Sequence, residues 1–277
     1  MEEEEQKLLL FKVQRSMEKV QHSAFFSKFM EQLRDLELLE ILLGTSEQGG
    51  VVDEAGSCLN GAASSSSSSS STGASPAAVT DIIDGSSSTD STVHNRKTKG
   101  IDMVVFGVGS IAGSEVSRSQ IALAMLLKHN FESFFNKILV YDPVLSDLEC
   151  RVLTTLGCAP MFHDENGSMQ AQVPTIFYMP HCEVGLYNNV LLANREPWSC
   201  LGQLLVLGNS FHKYEERWSV FPQPKSARPD CLLELQKHVK EDIVDPVNFP
   251  LASAFNDMSW HFFPHRRWNS ETLNTVP

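Results

Sequence analysis

No two cysteines in this 277-residue chain form a CxxC pair; Cys58, Cys150, Cys158, Cys182, Cys200 and Cys231 stand well apart. That spacing writes neither a zinc ribbon nor a thioredoxin-type redox motif. Long apolar runs are missing too. The densest, residues 121–127, is far shorter than the roughly 18 residues of a membrane-spanning helix, so no membrane segment is expected. Positive charge is scarce: 22 Lys and Arg against 34 Asp and Glu leave a net charge of −12. The basic clusters are slight, Arg96, Lys97 and Lys99 before the main domain and Arg266 with Arg267 after it. A duplex-binding surface needs clustered cations to displace counterions, so nucleic acid is not expected as a partner. The first cluster reads either as a nuclear address or as a solvated linker end. Residues 2–5 are all glutamate where a secretory signal would be basic, and an intracellular chain with reduced thiols is expected.

What remains is 42% hydrophobic, enough for one sizeable core. The chain reads as four parts. Residues 1–43 form an N-terminal helical arm, with one-sided stripes at Leu10, Val13, Met17, Val20 and Ala24 and at Phe26, Phe29, Leu33, Leu36, Leu39 and Leu43. Ser23 is placed to cap a second helix. The arm either packs on the main domain or docks a partner. Residues 44–99 read as a disordered serine-rich linker, with unbroken serine at 64–71 and again at 86–88. Residues 264–277 are a tail.

Residues 100–263 alternate strand-like and helix-like stretches. Strands are expected at 102–106, 137–141, 159–162, 174–179 and 201–207. Helices are expected at 114–130, 146–156, 183–194, 211–216 and 231–240, the second capped by Ser146 and stopped by Gly157. The alternation implies βαβ crossovers. The fold class is therefore α/β, a Rossmann-like, mainly parallel sheet of about five strands with flanking helices and the N-terminal arm.

Five segments are candidates for chemistry, because ligands of an open parallel sheet bind beyond the carboxyl ends of its strands. Gly107, Gly109, Ser110 and Gly113 form a glycine loop of GxGxxxG spacing between strand and helix. Such a loop lets a ligand approach the backbone and offers free N–H groups to an anion; it also reads as a tight turn. Asp142 follows the second strand, 29 residues past Gly113, where a dinucleotide fold places its ribose-binding acid about 20 residues on; the plainer reading is an Asp-Pro turn. Together these suggest an adenosine-containing cofactor, a small-molecule nucleotide. Met179-Pro180-His181-Cys182 follows the fourth strand, with His181 either a catalytic base, a ligand paired with Cys182, or a strand-end residue bonded to backbone. Asn209 and Ser210 follow the fifth strand and line the same cleft or cap the next helix. The polar and aromatic segment 254–261 closes the cleft or packs as an edge element. These loops are expected to converge. No metal site is expected, since His212 and His261 are not at ligand spacing.

The motifs also occur in a familiar order. Gly107-Val108-Gly109-Ser110-Ile111 with Ser117-Arg118 and Gln120-Ile121-Ala122-Leu123 resembles the opening motif of the sensitivity-to-red-light-reduced family. Tyr141-Asp142-Pro143, Leu156-Gly157-Cys158, Met179-Pro180-His181-Cys182, Leu186-Tyr187-Asn188-Asn189, Gly208-Asn209-Ser210-Phe211, and Asn256-Asp257 with Ser259-Trp260 resemble its later motifs. The resemblance spans about residues 100–263. It implies a regulator of red-light (phytochrome) signalling and circadian clock input, with protein partners, acting in nucleus and cytoplasm. It brings no settled catalytic activity. A Rossmann-type enzyme of methyltransferase kind and a non-catalytic interaction scaffold are the alternatives.

Overall fold

A computed structural model describes residues 2–35 and 100–263, except 164–165, 197, 221–223, 225–226 and 247. Two compact units divide the chain: Met1–Glu47 with Lys99–Pro277, and Gln48–Thr98. The second unit, the expected linker at 44–99 and the expected tail at 264–277 lie outside the described residues.

Helices α1 (Glu2–Gln21) and α2 (Ala24–Asp35) come first. Strand β1 (Ile101–Phe106), helix α3 (Glu115–Asn130), β2 (Phe135–Tyr141), α4 (Asp147–Thr155) and the two-residue β3 (Ala159–Pro160) follow. Then come β4 (Thr175–Met179), α5 (Val184–Asn194), β5 (Leu204–Asn209), α6 (Phe211–Val220), α7 (Asp230–Leu235), β6 (Lys240–Ile243) and β7 (Met258–Phe262). The strands form one sheet in the order β3-β2-β1-β4-β5-β7-β6. The first five are mutually parallel; β7 runs antiparallel to both β5 and β6.

Both faces of the sheet are covered, which is why its central strands are mostly apolar rather than alternating. Met103 and Val105 face one core with Ile121, Leu123, Val152 and Trp260, under α1 to α4. Val104 and Phe106 face the other, with Tyr187, Leu191, Phe211 and Leu232 of α5 to α7. The N-terminal helices belong to the first core. Leu9, Val13 and Val20 are buried, and Phe25 stacks on Phe255 with ring centroids 4.4 Å apart. Lys19 pairs with Glu115 at 2.5 Å. Leu8 and Phe11, on the opposite side of α1, remain exposed. Thus the arm packs on the domain. It is two helices rather than one, split where Ser23 Oγ accepts the Phe26 N–H at 3.1 Å and caps α2.

The sheet has seven strands, two more than the sequence suggested. Residues 231–240 were expected to be a single helix, but α7 stops at Leu235 and Lys240 already opens β6. The Lys-Glu-Asp-Ile sequence of β6 carries little apolar signal because it is a charged edge strand, a common protection against edge-to-edge pairing. Strand β7 is the reverse: Met258, Ser259, Trp260, His261 and Phe262 are all buried, polar residues included. The expected third strand ends early, at Pro160, and Phe162 is exposed.

Candidate functional site

From β1 the chain steps outward to β2 and β3, then crosses back to β4 on the other side of β1. The strand order therefore reverses between β1 and β4, the place where open α/β sheets bind ligands. The glycine loop leaves β1 here and the Pro180-His181-Cys182 loop leaves β4 beside it. Gly107 and Gly109 have φ of +70° and +71°, a region that favours glycine. A Cβ on Gly107 would sit 2.4 Å from Cys182 Sγ, so the first glycine is also what lets the two loops touch.

Two of the loop N–H groups expected to be free for an anion, those of Gly109 and Ala112, are occupied by the protein's own carboxylates. Asp142 Oδ2 accepts the Gly109 N–H at 2.7 Å, and Oδ1 accepts the Val144 N–H at 3.0 Å. Gly113 N–H donates to Ser110 Oγ at 3.0 Å. Ser110 Oγ and the Ala112 N–H in turn donate to Glu149 Oε1 at 2.7 and 2.9 Å. Glu149 lies in the first turn of α4, only 2% exposed, and its Oε2 accepts from both Ser146 N–H and Ser146 Oγ at 2.7 Å. This is a capping box whose glutamate also reaches across to the glycine loop. Burial pushes the Glu149 carboxyl up, but the bonds from Ala112, Ser110 and Ser146 outweigh it and hold the group below its ordinary value. Arg118 clamps the other side of the loop, donating to the Ile111 and Ala112 carbonyls at 2.7 and 3.2 Å.

His181 is exposed and sits at φ +57°, uncommon for a side chain with a Cβ. Its N–H donates to Asn209 Oδ1 at 2.9 Å. Asn209 Nδ2 donates to Cys182 O at 3.3 Å and Tyr214 Oη at 2.8 Å, and the Asn209 N–H donates to Tyr187 Oη at 2.7 Å. Tyr187 in turn donates to Met179 O. Asn209 thus ties the loop after β4 to the start of α6. Gln120, buried in α3, bonds His181 Nδ1 at 3.3 Å and Ala254 O at 3.1 Å through one nitrogen. Because that nitrogen donates to the Ala254 carbonyl, it is a donor to Nδ1 as well, and the exposed His181 Nε2 carries the proton in the neutral ring. Ser210 is the α6 cap: its Oγ accepts the Lys213 N–H at 3.2 Å.

Gly107, Gly109, Ser110, Gly113, Asp142, His181, Asn209 and Ser210 therefore gather at one edge of the sheet, linked by direct contacts. Two residues important to this edge were missed by sequence reasoning, Glu149 and Gln120. The first had a legible signal, Ser146 followed three residues later by glutamate; the second had only its place in the family's opening motif, with no spacing that marks its role. His261 is also close by. It is fully buried in β7, stacked on Phe211 at 3.8 Å between ring centroids, and 3.7 Å from Glu241. Desolvation lowers its pKa to about 4, against the pull of Glu241 and of Val206 O. Among the described residues no three His, Cys, Asp or Glu side chains are grouped to hold a metal ion, and no helix is long and apolar enough to cross a membrane. Two surface depressions lie elsewhere, one of about 560 Å³ beside α4 and Phe162 and one of about 180 Å³ between α2 and β6.

The SRR1 domain matches residues 80–262 of this chain, more than half of its length. The chain belongs to the SRR1 domain family. Within this family it is 38% identical over 165 residues to the Arabidopsis thaliana Protein SENSITIVITY TO RED LIGHT REDUCED 1, covering 59% of this chain and 58% of that one. It is 40% identical over 121 residues to an SRR1-like protein of Mus musculus, with 42% and 47% covered. With an SRR1-like protein of Drosophila melanogaster it shares 27% over 164 residues, 58% and 55% covered. The matches thus span about half to three fifths of these relatives. No solved structure matches the chain.

Proposed function

We propose that the chain is a regulatory protein of red-light signalling that feeds the circadian clock and acts in cytoplasm and nucleus through protein partners. The observation that carries this reading is the SRR1 domain match together with 38% identity to a plant relative named for reduced red-light sensitivity. The geometry is in keeping with it. Asp142, Glu149, Asn209 and Gln120 spend their hydrogen bonds holding loops together, as a rigid recognition surface requires. The test is complementation: plants of Arabidopsis lacking that relative are given this chain, and the shortening of seedling stems under red light is measured. Restored sensitivity supports the reading. No restoration at matched protein levels refutes it.

One observation favours a second reading, a Rossmann-like enzyme or binding domain that takes an adenosine-containing cofactor. The parallel strands follow the order 3-2-1-4-5 of doubly wound nucleotide-binding sheets. In this reading Gly107, Gly109, Ser110, Gly113, Asp142, Asn209 and Ser210 border the cofactor, and His181 offers Nε2–H to a substrate acceptor. Calorimetric titration with S-adenosylmethionine, NAD and ATP tests it; no heat from any of them at millimolar concentration would sink it.

A further inference from the structure

Glu149 is buried, and two of the four hydrogen bonds it accepts come from outside its own helix and cap. Oε1 accepts from Ser110 Oγ and the Ala112 N–H, both in the glycine loop that leads into the start of α3, the kind of place where backbone N–H groups bind anions. The second carboxylate, Asp142, takes the Gly109 N–H. Two negative charges of the protein therefore stand in the loop, 2.7–2.9 Å from its donors. An incoming phosphate would meet both, and it would find these donors already used.

We propose that Glu149 is a specificity-determining residue that closes the glycine loop to phosphate, so that a nucleotide ligand of this edge is a nucleoside compound carrying no phosphate at the loop. The proposal deepens the cofactor reading above and rests on it for the kind of ligand concerned. Coulomb repulsion from Glu149 disfavours NAD and ATP, whose phosphates are anionic, and favours an adenosine compound with a cationic centre such as S-adenosylmethionine. Adenosine's ribose hydroxyls still have a partner, since each Asp142 oxygen holds a second acceptor position beside the one filled by Gly109 or Val144.

The experiment uses the full chain and small anions as probes. Glu149→Ala removes the carboxylate and leaves the Ala112 N–H and the Ser110 hydroxyl without an acceptor, a seat that acetate or inorganic phosphate can fill. Thermal unfolding of this variant should rise with either anion, by about 3–6 °C at tenfold over half-saturation, while the wild type stays unshifted. If the variant fails to fold, the wild type decides alone: titration with inorganic phosphate and pyrophosphate to about 10 mM is followed at the amide resonances of Gly109, Ala112 and Gly113. Unmoved resonances support the proposal. Saturable shifts at those amides, or an anion-induced stabilisation of wild type equal to that of Glu149→Ala, overturn it. A folded Glu149→Ala that no anion stabilises overturns it as well. Absence of S-adenosylmethionine or adenosine binding bears only on the cofactor reading and leaves phosphate exclusion standing.

Discussion

Replacing Glu149 by glutamine keeps the shape of the side chain and removes its charge, which isolates what the carboxylate contributes. In the wild type it accepts four hydrogen bonds of 2.7–2.9 Å from Ser110, Ala112 and Ser146. Glutamine keeps an oxygen for Ser110 and Ala112 but presents an NH2 group to the Ser146 N–H, donor against donor. Bonds to a charged acceptor contribute about 1.5–3 kcal/mol and neutral ones about 0.5–1.5, while an orphaned buried donor costs about 1–3. The charge no longer has to be desolvated, which offsets part of the loss, and a net destabilisation of about 2–4 kcal/mol follows. That lowers Tm by about 5–15 °C for a domain of this size. The pH dependence carries a sign. The folded-state pKa of Glu149 is depressed below its ordinary 4.5, so its ionised form stabilises the fold above that value and the contribution is lost as pH falls through the folded pKa. The gap between wild type and Glu149→Gln should be constant near neutrality and shrink below about pH 4.5. Urea unfolding at a series of pH values measures it. A gap under about 0.5 kcal/mol at pH 7, or one that does not narrow in acid, refutes the reasoning.

Other outcomes follow from the same edge. Gly107→Ala brings a Cβ to within 2.4 Å of Cys182 Sγ at φ +70° and should destabilise by about 1–3 kcal/mol, read by chemical denaturation; an unchanged midpoint would mean that the two loops do not meet. Asn209→Ala removes the acceptor for the His181 N–H and a donor to Tyr214, costing about 1–3 kcal/mol and raising amide exchange at His181. For His261, a folded pKa of about 4 against an ordinary 6.5 means that the unfolded chain binds more protons between those values. Stability therefore falls as pH drops through that window, by up to about 3 kcal/mol. His261→Gln should flatten the profile there. Gln120→Leu should let the His181 ring populate both neutral tautomers, detectable in the nitrogen-15 spectrum of the imidazole, where the wild type shows Nε2–H alone.

Much of the fold was legible because its signals are local. The apolar runs of β1 and β4, the Ser146 cap and the Gly157 stop each depend on neighbours in sequence, and each stands where it was expected, whereas β5, expected from residue 201, begins only at Leu204 behind a 3-10 turn. Strand β7 was hidden because Ser259 and His261 are polar yet buried, His261 held by Phe211, Val206 and Glu241 from distant segments. Strand β6 was hidden because edge strands need no apolar alternation. In the candidate site the positions of the glycines, Asp142 and His181 were readable from strand ends alone. What their donors and acceptors bind was not. Whether the Ala112 N–H faces a ligand or Glu149 depends on where α4 packs, a tertiary fact with no counterpart in spacing.

The loops after β1, β2, β4 and β5 form one interlocked unit closed by the protein's own side chains. Residue-resolved amide hydrogen exchange tests it most directly, in the wild type, in Glu149→Gln and in Asn209→Ala. Protection at Gly109, Ala112, Gly113 and His181 should fall together in both variants, because Gly107 against Cys182 couples the two halves. Loss confined to the glycine loop in the first variant and to His181 in the second would contradict it.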